Sequence, residues 1–130
     1  MQSILPKFSL GYLDHDAVTR DKAFVEQIKA DKLIWHGGFR AKHSHILLQS
    51  TDALQSGELL KKINVPILIF QGEKDRLVNP EGAKHLHEHC SSEDKRLETF
   101  PDAYHNLYVE LEDVKKSVIS QTCEWIIQHI

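Results

Sequence analysis

The chain has 130 residues, of which 41% are hydrophobic and 27% charged, with a net charge of −3. That is enough chain for one domain or part of one, and the mild acidity excludes the basic stripe that nucleic-acid binding needs. Apolar runs of a few residues, against the roughly 20 of a membrane span, and the lack of a basic-then-apolar opening predict a soluble, intracellular chain.

Taken in chain order, residues 19–30 (TRDKAFVEQIKA) predict a helix with Thr19 as N-cap and Phe24, Val25 and Ile28 on one side. A second helix is expected from Phe39 to about Ser50, and one more turn over Gly57–Lys62. Between Val65 and Gln71 the run VPILIFQ is too short for a buried helix, is rich in branched residues and stops at Gly72, so it reads as a buried parallel strand. Asn79-Pro80-Glu81 starts a helix, with Asn as cap, Pro at the first helical position and an acid near the positive end; it runs to about Cys90. Arg96 to Phe100 alternates polar and apolar residues and halts at Pro101, as a second strand does. From Glu112 to His129, Val114, Val118, Thr122, Trp125 and Ile126 share one helical face able to cover a sheet.

Strand, helix, strand, helix defines an α/β class in which right-handed crossovers bring two parallel strands side by side. Functional crevices in such sheets lie beyond the carboxyl ends of the strands. Each of those loops here holds a titratable residue: Asp75 in QGEKDRLV and His105 in PDAYHNL. With strands roughly 4.8 Å apart the two side chains are within reach of a hydrogen bond. An aspartate that holds a histidine in one tautomer is the acid–base half of a nucleophilic triad, and the order acid-then-histidine fits α/β-hydrolases, where the serine comes first. Asp102, three residues before His105, is the rival acid, but its place after Pro101 suits turn geometry.

The stretches VPILIFQGEKDRLVNPEGA and LETFPDAYHNLYVE resemble the closing half of the monoacylglycerol lipase and lysophospholipase group of serine α/β-hydrolases, and ILPKFSLGYLDHDAVTRD resembles the stretch that leaves the cap of that group. The resemblance implies a partial α/β-hydrolase fold: residues 1–18 as the end of the cap and the return to the core, 19–63 as helical segments, and 64–130 as the closing βαβα part. It implies Asp75 as triad acid and His105 as triad base, with Leu77 and Val78 beside them. It implies further a lipid ester substrate (monoacylglycerol or lysophospholipid), neither metal nor organic cofactor, and a cytoplasmic protein with peripheral membrane contact through the cap.

No serine from Ser3 to Ser120 has glycines two residues to either side, so the Gly-x-Ser-x-Gly nucleophile elbow is not in this sequence. The resemblance places the elbow upstream of residue 1, leaving a part that is inactive alone. The alternative is a non-catalytic binding or regulatory protein, whose difficulty is that two parallel strands leave an unpaired edge and lack cover.

Other features carry bland expectations. His36-Gly37-Gly38 mimics an oxyanion loop, but it follows a helical stretch instead of an early strand, so a turn whose glycines adopt unusual backbone angles is expected. His85, His87 and His89 in HLHEH offer two ligands on one helix face with Glu88 nearby, but HExxH is absent and no third ligand is spaced for a metal, so a solvated surface is expected. His43 and His45 read as exposed, Trp35 and Trp125 as packing residues, and Cys90 and Cys123, without CxxC spacing, as two reduced thiols.

Overall fold

A computed structural model describes residues 7–130. Two strands, β1 (Ile67–Gly72) and β2 (Lys95–Phe100), pair in parallel with Ile67 opposite Lys95 and Gly72 opposite Phe100. Because the register is flush, both strands end together, and the turns that follow them leave from one edge. Among the described residues four α-helices accompany the strands: α1 (Lys22–Ala30), α2 (Ala41–Gln55), α3 (Glu81–His89), which makes the crossover between β1 and β2, and α4 (Glu112–Gln128). The segment between β2 and α4 packs against α4 through a buried cluster of Ala103, Leu107, Val114 and Val118, with Phe70 and Phe100 against it.

Several local expectations are corrected by tertiary context. Thr19 does not cap α1; Asp21 does, its carboxylate accepting from Ala23 N (2.9 Å) and Phe24 N (3.2 Å). Thr19 is instead fully buried, its hydroxyl donating to the Val109 carbonyl at 2.8 Å. The second helix runs five residues past Ser50, to Gln55, and closes where Gly57 takes φ +77, a left-handed conformation that glycine adopts without a Cβ penalty. Asn79 does satisfy the start of α3, its side chain accepting from Glu81 N at 3.1 Å. Of β1, only Ile69 and Gly72 are buried, because one edge of the strand has no partner among the described residues. On α4, Val114 and Val118 are buried but Ile126 is exposed, since that end of the helix extends past the cluster it covers.

The pair Gly37-Gly38 forms no hydrogen-bonded turn, only a bend at Gly37, and neither glycine has positive φ; what they provide is close approach. A Cβ on Gly37 would lie 2.1 Å from the Trp35 ring, and one on Gly38 would lie 1.9 Å from Ser9 Oγ. The close approach lets residues 8–11 zip against 39–41 through Leu10 N to Phe39 O, Phe39 N to Gly11 O and Ala41 N to Phe8 O. Trp35 stays mostly exposed and carries Arg40 over its ring at 5.6 Å, so it is not the packing residue expected; Trp125 is half-buried, stacked on His129.

Candidate active site

The turn after β1 is built to present one carboxylate. Asp75 N donates to Gly72 O at 3.2 Å, closing the chain on itself, and Asp75 Oδ1 then accepts from Leu77 N (2.8 Å) and Val78 N (3.1 Å). One carboxylate oxygen is thereby tied down by backbone donors. The other, Oδ2, lies 2.8 Å from His105 Nδ1. The Asp75 side chain is only 2% exposed, whereas that of His105 is 42% exposed. Burial pushes the Asp75 carboxyl up, but the His105 hydrogen bond and the Val78 and Leu77 amides outweigh it and hold it below the ordinary aspartate value. An ionised Asp75 can only accept, so His105 must donate from Nδ1, which fixes the tautomer and leaves Nε2 as the basic nitrogen. Among the described residues Nε2 has no hydrogen-bond partner, and the ring borders a shallow depression of ≈ 250 Å³ shared with Phe70, Asn106, Leu107 and Tyr108.

The turn after β2 is held against the first by steric fit and by backbone bonds. Glu73 N donates to Phe100 O (3.0 Å) and Lys74 N to Ala103 O (3.1 Å). The approach is close enough that a Cβ on Gly72 would lie 2.1 Å from Tyr104 O and 2.5 Å from Ala103 O. Gly72, the residue that ends β1, is therefore what allows the acid and histidine turns to meet. Asp102 is exposed and pairs with Lys74 at 2.7 Å, so it stands away from His105, tethering the two turns from outside.

A residue that sequence reasoning missed lies beneath the histidine turn. Glu110 is 1% exposed and its carboxylate receives four donors: Arg20 N and Tyr104 N on Oε1, each at 3.0 Å, and Arg20 Nε (2.9 Å) and Leu111 N (3.0 Å) on Oε2. Burial raises its pKa, but the Tyr104, Leu111 and Arg20 amides with the Arg20 guanidinium more than reverse that, so the net shift is downward. In sequence it is one acid among Glu110, Glu112 and Asp113 at a helix start, where acids are ordinary. Nothing local distinguishes it.

The remaining histidines fall elsewhere. The His85 and His89 rings lie with centroids 4.1 Å apart, tilted by 33°, and His89 Nδ1 meets the His85 carbonyl. His85 and His87 are half-buried instead of solvated, and among the described residues no group of three His, Cys, Asp or Glu converges to hold a metal. His43 is exposed and His45 half-buried. Cys90, buried, and Cys123, exposed, are both free. A separate apolar groove of ≈ 460 Å³ lies between α2 and α3, reaching Val78 of the acid turn and lined also by Leu54, Leu60, Ile63 and Leu86. Among the described residues no helix is long and apolar enough to cross a membrane.

Parallel strands, a crossover helix and an Asp–His pair at their carboxyl edge are the closing part of an α/β-hydrolase, and the serine aminopeptidase S33 family of hydrolases (Hydrolase_4) matches residues 1–112. The chain belongs to that family. Within it, the similarity is to monoacylglycerol lipases: the human monoglyceride lipase is 35% identical over 125 residues, covering 96% of this chain, and the rat enzyme 33% identical over 127 residues, covering 98%. This chain spans 41% of the length of each of these curated relatives and corresponds to a C-terminal portion of the group. The solved monoacylglycerol lipase of Paleococcus ferrophilus superimposes with a TM-score of 0.87 at 25% identity, over 99% of this chain and 49% of that one. A soluble variant of the Saccharomyces cerevisiae monoglyceride lipase has the same fold, with a TM-score of 0.86 at 24% identity, over 98% of this chain and 44% of that one.

Proposed function

We propose that the chain supplies the acid and base of a serine ester hydrolase of the monoacylglycerol lipase kind, with Asp75 as triad acid and His105 as triad base. The observation that carries the reading is the 2.8 Å bond between a buried Asp75 and an exposed His105 ring. In the reaction, Nε2 takes the proton of an attacking serine hydroxyl as its oxygen bonds to the ester carbonyl carbon. The imidazolium so formed is stabilised by Asp75 and returns the proton to the departing glycerol oxygen as the ester bond breaks. Water, deprotonated by the same nitrogen, then bonds to the acyl carbon; the serine oxygen leaves, taking that proton back from the imidazolium, and the fatty acid is released. No metal or organic cofactor enters these steps.

Three features support a lipid ester as substrate: the apolar groove reaching Val78, the relatives' activity, and the exposed Tyr12, Leu33 and Trp35, which suit peripheral contact with a lipid surface. The nucleophile belongs to sequence outside these 130 residues, because no serine here sits in a Gly-x-Ser-x-Gly elbow, and this portion alone is inactive. A fluorophosphonate probe is expected to label a product that joins this chain to such an elbow, and to leave the 130 residues alone unlabelled. Labelling of the short chain, or monoacylglycerol turnover by it, overturns the assignment of the nucleophile.

A further inference from the structure

His105 owes its position to more than Asp75. Its two neighbours in the chain are also held: Asn106 directly by the segment Val18–Arg20, some 85 residues earlier, and Tyr104 by Glu110, to which that segment binds. After His105, Asn106 N donates to Val18 O at 2.9 Å. Before it, Tyr104 N donates to Glu110 Oε1, the same oxygen that takes Arg20 N. Between these anchors the Thr19 hydroxyl donates to Val109 O, at the far end of the same turn. Glu110 is the one side chain joining all the parts: its four donors come from Tyr104, from Leu111 at the head of α4, and twice from Arg20.

We infer that Glu110 is a positioning residue for His105, acting through the Tyr104 amide, and that the Val18–Arg20 segment is the buttress on which it rests. The inference rests on the functional reading above. A carboxylate is the group that suits the site. Each of its oxygens accepts two N–H donors, and the ion pair with Arg20 is made on a carboxylate with 0% of its side chain exposed, against 24% for Arg20. In Glu110→Gln one oxygen becomes an NH2 group facing two N–H donors. If Oε1 is the atom replaced, Tyr104 loses its acceptor directly; if Oε2, Arg20 Nε and Leu111 N are released and the carbonyl that remains is held by fewer partners. In Glu110→Met all four donors are stranded. A peptide freed at Tyr104 lets the following ring turn away from Asp75, and the tautomer of a histidine is set by the bond its other nitrogen makes.

The test reads that tautomer in the product that joins this chain to a Gly-x-Ser-x-Gly elbow, from long-range proton–nitrogen correlations of His105 at a pH where the ring is neutral, together with hydrogen exchange of the Tyr104 amide. The parent is expected to hold His105 as the Nδ1–H form, with Tyr104 exchanging at least tenfold more slowly than unbonded loop amides. Glu110→Gln and Glu110→Met are expected to shift His105 toward the Nε2–H form that an unconstrained histidine side chain favours and to abolish the protection of Tyr104. Val25→Ala, at a fully buried position of α1 that makes no hydrogen bond to Glu110, Tyr104 or His105, lowers stability and leaves the tautomer unchanged. Asp75→Asn separates the two ideas. A parent that is already Nε2–H removes the Asp–His reading. An Nδ1–H parent released by Asp75→Asn but unmoved in both Glu110 variants removes the role of Glu110 alone. If neither Glu110 variant folds, exchange in the parent still decides: a Tyr104 amide as fast as its exposed neighbours contradicts the inference.

Discussion

Gly72→Ala is the smallest change that should separate the acid from the histidine. The backbone of Gly72 lies in an ordinary extended strand and no positive φ is needed there, so alanine is tolerated by its own residue and rejected by its neighbours. The new methyl would lie 2.1 Å from Tyr104 O, and that carbonyl must retreat by about 1.3 Å before the contact reaches the 3.4 Å at which packing becomes ordinary. The obstructing atoms, Tyr104 O and the Ala103 carbonyl, are all backbone, so no side chain can swing aside to relieve them. The turn that retreats carries His105, and the same displacement along its 2.8 Å bond to Asp75 takes that bond beyond hydrogen-bond range. Overpacking of this kind costs about 1–3 kcal/mol, and losing a hydrogen bond to a charged group adds about 1.5–3 kcal/mol. Urea unfolding of Gly72→Ala is therefore expected to show a stability loss of about 2–4 kcal/mol, because relaxation recovers part of the sum. The His105 nitrogen signals should report loss of the Nδ1–H form. An alanine variant with parental stability and an unchanged His105 tautomer refutes the steric account of how the two turns meet.

Three further outcomes follow from the same geometry. Lys74→Ala removes an exposed pair with Asp102, so it is expected to cost less than about 1 kcal/mol in urea unfolding and to leave the His105 tautomer alone; loss of the Nδ1–H form would promote Asp102 to a working part of the site. Asp75 and Glu110 both have carboxyls depressed in the folded chain, so the stability they give is present above the ordinary carboxyl values of about 4 and is lost as pH falls through the folded ones. The urea midpoint should hold from pH 7 to about 5 and drop below about pH 4, and a midpoint unchanged down to about pH 2 contradicts this. His129, raised by its bonds to the Trp125 carbonyl and to Asp94, acts in the opposite sense: it stabilises the end of α4 below about pH 6.5 and less as pH rises through its folded value. Its ring-proton titration midpoint is expected above 6.5 and to fall in Asp94→Asn; a midpoint at or below 6.5 in the parent shows that the latch does not form.

What could be read from the sequence was whatever depends on neighbours along the chain. The apolar run before Gly72, the Asn79-Pro80-Glu81 start and the alternation up to Phe100 each announce their element locally, and the rule that crevices lie at strand ends then brings Asp75 and His105 together. What escaped depends on partners far away in sequence. Thr19 has the chemistry of a helix cap, but Val109, ninety residues on, claims its hydroxyl. Gly37 and Gly72 look like residues chosen for backbone freedom, yet their reason is the distance to the Trp35 ring and to the Tyr104 carbonyl. Glu110 resembles any acid at the head of a helix until Arg20 and Tyr104 are seen to close on it. The partial exposure of β1 likewise reflects which strands lie beside it, information its own residues do not carry.

The most direct trial of the central claim is monoacylglycerol hydrolysis by the product in which this chain follows a Gly-x-Ser-x-Gly elbow, comparing the parent with His105→Gln and Asp75→Asn. With His105 as base and Asp75 as the group that orients it, each variant is expected to lose turnover by about 10³-fold or more while KM changes little. Either variant that keeps turnover within about tenfold of the parent contradicts the assignment of the pair.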